Sequence, residues 1–141
     1  MTTFLDTNVL AYGFDEREPA KRAISEGIIK AGARTDALVI STQVLQEFYW
    51  TVSRKFVPRL EPEIVDQALR DFARLQVVQV DVPMILAAAG RVRSASISFW
   101  DALIVEAALV SGATRLLTED LQDGHVFDGV LRVENPFRLA R

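Results

Sequence analysis

Residues 37–80 decide the fold, beginning with Ala37-Leu38-Val39-Ile40, an uninterrupted apolar run of strand length. Ser41 or Thr42 then offers a side-chain oxygen to cap a helix. That helix shows its buried stripe at Leu45, Phe48, Tyr49, Val52 and Phe56, and Pro58 stops it. Pro62 opens a further helix with Ile64, Val65, Ala68, Leu69, Phe72 and Leu75 on its inner side, after which Val77-Val78-Gln79-Val80 returns as a strand. Short strands apolar on both faces and separated by helices predict an α/β sandwich around a mainly parallel sheet.

The alternation extends outward on both sides. Thr2 to Leu5 reads as a first strand followed by Asn8 as a helix cap, and Pro19 suits the first turn of a helix through Ala23, Ile24, Ile28 and Ile29 that Gly32 ends. Toward the other end, Pro83 starts a helix to Val92, and Ser98 starts another through Trp100 and Ala107 to Gly112. Arg115-Leu116-Leu117 is a fourth strand and Val130-Leu131-Arg132-Val133 a fifth. Neither a repeat nor a linker interrupts this pattern, so residues 1–141 are expected to form a single domain.

Composition excludes several classes. With 50% of the 141 residues apolar and a net charge of −3, the chain does not read as disordered. It has no cysteine, so no disulfide framework or thiolate zinc site supports it, which agrees with a reducing, cytoplasmic location. Glu106 interrupts the longest apolar candidate, Trp100 to Val110, which argues against a membrane helix. The opening Met1-Thr2-Thr3-Phe4-Leu5-Asp6 has neither the basic region nor the apolar stretch of a signal peptide.

In a parallel α/β sheet, ligands bind beyond the carboxyl ends of the strands. Asp6 follows the first strand directly, and Asp120 comes shortly after the fourth within Leu117-Thr118-Glu119-Asp120. Asp101 lies in the first turn of a helix that is apolar nearly all round, where a charged residue needs a reason. Each acid also has a structural reading. Ser98-Phe99-Trp100-Asp101 matches a capping box, which satisfies backbone donors and nothing more. Asp6 equally suits a cap or turn after the strand, and Asp120 beside Glu119 and Asp123 suits a polar surface turn. On a helical wheel Glu47 points away from the Leu45, Phe48, Val52 stripe, so periodicity alone makes it a solvated glutamate.

Taken together and in order, Asp6-Thr7-Asn8-Val9-Leu10 after a strand, Gln46-Glu47-Phe48 in a helix, Ser98-Phe99-Trp100-Asp101-Ala102, and Leu117-Thr118-Glu119-Asp120-Leu121 resemble the PIN-domain nucleases. More narrowly, the chain resembles the VapC-type toxins of toxin–antitoxin pairs. The resemblance implies a PIN-like three-layer sandwich with a four- to five-stranded sheet and an acidic pit that binds Mg²⁺ or Mn²⁺ and cleaves RNA. It places Asp6, Glu47, Asp101 and Asp120 at the acidic positions, with Thr7, Asn8 and Thr118 supporting them and Asp123 as an extra acid. It further implies a homodimer and a small VapB-like antitoxin as partner.

The chemistry agrees with the residue types. Phosphodiester hydrolysis gains from hard divalent cations, and an all-oxygen donor set suits Mg²⁺ or Mn²⁺, whereas zinc sites draw on cysteine or histidine and this chain holds only His125. Asp6, Asp101 and Asp120 are then the expected ligands, with Glu47 positioning the attacking water or acting as its base. Without those four, the 19 acids fall to 15 against 16 bases, so net charge is no obstacle to RNA. Arg54 and Lys55 with Arg59 form one candidate phosphate patch, Arg91 and Arg93 another, and ordinary solvated helix ends explain either equally well. Trp50 and Trp100 fit stacking on bases or burial.

Three other readings compete. A catalytically silent PIN domain would bind RNA or a partner without cutting. A phosphatase of the haloacid-dehalogenase type also puts an Asp after the first strand, yet wants a second acid where Asn8 stands. A phosphotransfer receiver wants a lysine after a late strand, and the Asp120 region has none.

Overall fold

At the centre of the computed structural model, which describes residues 2–35 and 37–140, lies strand β1 (Thr3–Leu5), buried on both faces. It pairs in parallel with β2 (Leu38–Ser41) on one side and β4 (Arg115–Leu117) on the other. Beyond them lie β3 (Gln76–Val78) and β6 (Leu131–Glu134), also parallel, and β5 (Val126–Phe127) adds an antiparallel edge to β6. The order is β3-β2-β1-β4-β6-β5, six strands where sequence periodicity leads to four or five. The extra strand is two residues long, too short to show an alternation. Asp128 and Gly129, both at positive φ, turn it back into β6, and the Val130 N–H closes that turn on the Phe127 carbonyl at 3.0 Å. Val130 therefore belongs to the turn, and the expected strand begins one residue later.

Helices cover both faces, as α/β layering requires. Strand β1 leads into α1 (Thr7–Ala11), a short 3₁₀ turn, and α2 (Pro19–Ala33). The cap of α1 is Asp6, whose carboxylate accepts the Thr7 N–H at 2.7 Å, and not Asn8, which lies inside the helix. Gly32 does not end α2. It lets the helix lie against β2, since a Cβ there would sit 2.3 Å from Leu38 Cγ.

From β2 the chain enters α3 (Thr42–Trp50), capped by the Ser41 hydroxyl, and continues in a wider π turn, Thr51–Lys55. Of its expected apolar stripe, Phe48, Val52 and Phe56 are buried and Leu45 half-buried, whereas Tyr49 is exposed. One residue past Phe48 is about 100° further around the helix, which turns Tyr49 off the core-facing side. Helix α4 (Pro62–Phe72) returns the chain to β3, and the rings of Phe14, Phe48 and Phe72 meet edge to face beneath it. Strand β3 ends at Val78 because the Val80 N–H goes to the Thr42 hydroxyl at 3.2 Å and leaves the ladder. Asp81 caps α5 (Val82–Ser94), which packs on α6 (Phe99–Val110) around Met84, Ala88, Ala102 and Leu103. Among the described residues no helix is long and apolar enough to cross a membrane.

Gly32→Ala drives a methyl group into the buried Leu38 side chain. It is expected to lower stability by about 1–3 kcal/mol, read as a lower urea midpoint with unchanged m-value.

Candidate functional site

Strand register brings the first two acids together. Leu5 pairs with Leu117, and the Asp6 N–H continues the ladder onto the Leu117 carbonyl at 3.1 Å, so Asp6 and Thr118 emerge side by side at the carboxyl edge. Asp6 is only 4% exposed, and its two oxygens accept the Thr7 N–H at 2.7 Å and the Thr118 hydroxyl at 2.8 Å. Burial pushes its carboxyl up to about 7 against the pull of those two donors, and the negative charges of Asp120 and Glu47 push it further the same way.

Thr118, fully buried, also accepts the Asp120 N–H at 3.0 Å, which closes the turn that carries Asp120. The Asn8 amide donates to Asp120 Oδ2 at 3.1 Å and reaches the Thr118 hydroxyl at 3.4 Å. On the opposite side, the Thr7 hydroxyl donates to Glu47 Oε1 at 2.8 Å, and the Gln43 amide donates to Glu47 Oε2 at 3.3 Å and to the Trp100 carbonyl at 3.1 Å. Glu47 is therefore held inward, contrary to its reading from α3 periodicity, because donors from α1 and from one turn earlier in α3 claim both its oxygens. Gln43, absent from the sequence reading, is detectable there by its i, i+4 spacing from Glu47.

Asp101 keeps both of its sequence readings open. The Ser98 hydroxyl accepts the Asp101 N–H at 3.1 Å and so caps α6, while the Asp101 carboxyl shares the field of the other acids. Partial burial raises its pKa, the Ser98 hydroxyl lowers it, and the charges of Asp120 and Glu47 raise it again. The Asp120 carboxyl is raised likewise, first by partial burial and also by Glu119, with Asn8 opposing.

Asp6 and Asp101 thus each feel the charges of Asp120 and Glu47, yet the four acids are not gathered. Among the described residues no three acidic or imidazole side chains come together closely enough to hold a metal ion. Asp6, Glu47 and Asp120 are each turned onto donors of the chain itself. The donor set nevertheless suits a hard cation: it is all oxygen, it carries excess negative charge, and the buried Asn8 Oδ1 beside Asp120 is an acceptor with no partner.

The remaining predicted residues divide. Asp123 does not join the pit, since its oxygens take the Asn135 N–H at 2.8 Å and Arg138 at 3.1 Å. Arg91 is held by Glu106 at 2.7 Å and by both oxygens of Asp128, over the Phe127 ring. Arg93 is exposed in the last turn of α5. Arg54 stacks on Trp50, with the guanidinium 5.5 Å from the ring centroid, and Lys55 lines a groove together with Thr7, Glu47 and Asp120. One clamp is invisible in sequence because its members come from three elements: Tyr12 donates to Glu119 at 2.5 Å, and Lys21 reaches both at 3.2 Å, pinning the segment that carries Asp120.

The model of the PIN-domain family matches residues 3–123. The chain belongs to the PIN-domain family. Its fold is also that of several solved structures. One is a toxin–antitoxin complex from Klebsiella pneumoniae, at TM-score 0.70 and 15% identity over 96% of this chain and 98% of that one. Another is a DNA-bound VapBC from Salmonella typhimurium, at 0.66 and 20% over 96% and 98%. A third is VapC20 of Mycobacterium tuberculosis, a sarcin–ricin-loop-cleaving toxin, at 0.56 and 18% over 91% of each. No curated protein matches the sequence. At these identities the likeness is one of fold, and this PIN domain's chemistry rests on its own residues.

Two outcomes follow from this geometry. Ser98→Ala is expected to cost about 1 kcal/mol of stability through loss of the α6 cap, while Asp101→Asn leaves urea stability nearly unchanged. Asp6 keeps its proton in the folded chain up to about pH 7 but releases it near pH 4 once unfolded. The unfolded chain therefore holds fewer protons across that window, and stability falls as pH rises through it. In EDTA, urea midpoints should drop between pH 5 and 8, and Asp6→Asn should flatten the profile, gaining on the order of 2–4 kcal/mol at pH 7.5.

Proposed function

We propose that this PIN domain binds RNA at its acidic pit and, with Mg²⁺ or Mn²⁺ held by Asp6, Asp101 and Asp120, hydrolyses a phosphodiester bond as the toxin of a toxin–antitoxin pair. The observation that carries the reading is the placing of the Asp6 carboxylate, nearly out of water, in the field of Asp120 and Glu47, with Asp101 in the same field. A divalent cation removes the mutual cost of such charges and supplies what the reaction needs, positive charge against the phosphate and a more acidic water. The chain's own side chains set the geometry. Thr118 and the Thr7 amide orient Asp6, Asn8 orients Asp120, and Glu47, braced by Thr7 and Gln43, positions the attacking water or takes its proton. The fold likeness to a toxin–antitoxin complex and to an RNA-cleaving toxin supports an antitoxin as partner and RNA as substrate. A homodimer belongs to the same reading, with exposed Val82, Ile85 and Leu86 of α5 as an apolar face for it.

A second reading has its own observation. The acids are hydrogen-bonded to the chain and no three of them are gathered for an ion among the described residues. As it stands, that geometry backs a PIN domain that binds RNA or a partner without cutting better than it backs the nuclease, because cleavage requires the carboxylates to gather more closely around the cation.

The two readings part in one experiment: the purified chain with tRNA and ribosomal RNA fragments, in Mn²⁺ or Mg²⁺ and in EDTA. The nuclease reading expects cutting that EDTA and Asp6→Ala abolish and that Glu47→Gln slows by about 10²–10⁴-fold. RNA retained in fluorescence anisotropy but left intact in either metal establishes the binding module instead.

A further inference from the structure

A groove of about 610 Å³ opens beside the pit and shares Thr7, Glu47 and Asp120 with it, while Trp50, Arg17 and Lys55 stand on its other walls. Its size is in the ~300–1,000 Å³ range of small-ligand sites. Trp50 has no packing role that explains it: at the end of α3 it lies off the buried Phe48 and Val52 line and is 56% exposed. Arg54, which lines no part of the groove, holds the indole from outside it, with its guanidinium 5.5 Å from the ring centroid. The result is a large flat aromatic surface, steadied by a cation and presented at the edge of a site rich in carboxylates. Trp100 is equally exposed but lies outside the groove, edge-on to Phe99.

Charge decides what such a groove accepts. The pit repels phosphate, so a polyanion approaching it needs cations close by. Lys55 stands on the groove wall, and the exposed Arg17 side chain hydrogen-bonds the buried Asp15 through its Nε at 3.4 Å, which leaves the terminal guanidinium nitrogens for a phosphate. Aromatic face and cations side by side, continuous with the pit, match one nucleotide: a base on the indole and its phosphate on Lys55 and Arg17. Bases inside a duplex are stacked and cannot reach an indole, whereas a single strand splays them out.

We propose that Trp50 is a base-stacking platform for the nucleotide of single-stranded RNA next to the phosphate in the acidic pit, with Lys55 and Arg17 as phosphate contacts. The assignment rests on the reading of this chain as an RNA-binding PIN domain and holds whether or not the bound RNA is cut. Stacking on one indole is tolerant of base identity, so this subsite adds affinity and selects single strands without reading sequence.

The test uses the full chain with Trp100→Phe, which leaves Trp50 as its single tryptophan, titrated in EDTA with a fluorescein-labelled single-stranded oligoribonucleotide and with its duplex. Anisotropy reports binding and indole emission reports stacking. The proposal expects quenching of Trp50 emission that saturates together with anisotropy, and weaker binding of the duplex. In the otherwise unchanged chain, Trp50→Ala is expected to lower affinity by about 5- to 100-fold, with Trp50→Phe recovering most of it. Lys55→Ala is expected to reduce the salt slope of log K by about 0.7. Circular dichroism of each variant checks its fold. RNA that binds while Trp50 emission stays unchanged, or Trp50→Ala that binds it as well as the parent, overturns the stacking site and leaves the groove to a protein partner. No RNA bound either in EDTA or, by the Glu47→Gln chain, in Mg²⁺ overturns the RNA-binding reading itself and the subsite with it.

Discussion

Burying one carboxylate at the end of the central strand is the constraint from which the rest of the site follows. Asp6 comes directly after β1, whose Phe4 and Leu5 are completely buried, and is itself only 4% exposed. An unpaired carboxylate there would be prohibitive, and among the described residues no basic side chain neutralises it. The chain answers with donors. The first amide of α1 and the buried Thr118 hydroxyl hold the two oxygens, which fixes where α1 begins and where the chain leaves β4. Even so, burial outweighs the donors and the carboxyl is pushed up to about 7.

Around that carboxylate the polar side chains form a continuous relay. It runs from Gln43 to Glu47, from Glu47 to Thr7, from Thr7 through its backbone to Asp6, then to Thr118, Asn8 and Asp120. The links Thr7–Glu47, Asp6–Thr118 and Asn8–Asp120 join different elements, so α1, α3 and the segment after β4 are tied together by side chains and not by apolar packing alone. Such networks are sensitive to the loss of any member, because the neighbour left behind is a buried polar group without a partner. The Tyr12–Glu119–Lys21 clamp extends the relay outward and keeps the Asp120 segment from swinging away from the edge.

What was legible in the sequence is what repeats. Strand-length apolar runs and helical stripes mark β1, β2, β4 and the five longer helices, and the rule that ligands sit beyond parallel strands singles out Asp6 and Asp120. Side-chain direction at the polar positions was not legible, because it depends on partners from other elements. Glu47 reads as solvated on its own wheel and is turned inward by Thr7, forty positions away. Arg91 reads as a free cation until Asp128, thirty-seven positions on, takes its guanidinium. Asp101 reads equally as part of a capping box or as a site acid; the Ser98 hydroxyl takes its N–H as the box predicts, while its carboxyl lies in the field of Asp120 and Glu47. The two-residue strand β5 leaves no periodic trace, although Asp128-Gly129 is a hairpin signal in its own right.

The same hydrogen bonds that make the pit stable without a cation set what a cation must overcome. A bond from a neutral donor to a carboxylate contributes on the order of 1.5–3 kcal/mol, and Asp6, Glu47 and Asp120 each hold at least one. Gathering them around a divalent ion sacrifices part of that stabilisation while relieving the repulsion and desolvation that now raise Asp6, Asp101 and Asp120. A bound phosphate adds further negative charge that would favour the cation. Under the proposed reading, metal and RNA binding would be coupled in such a site, each making the other less costly.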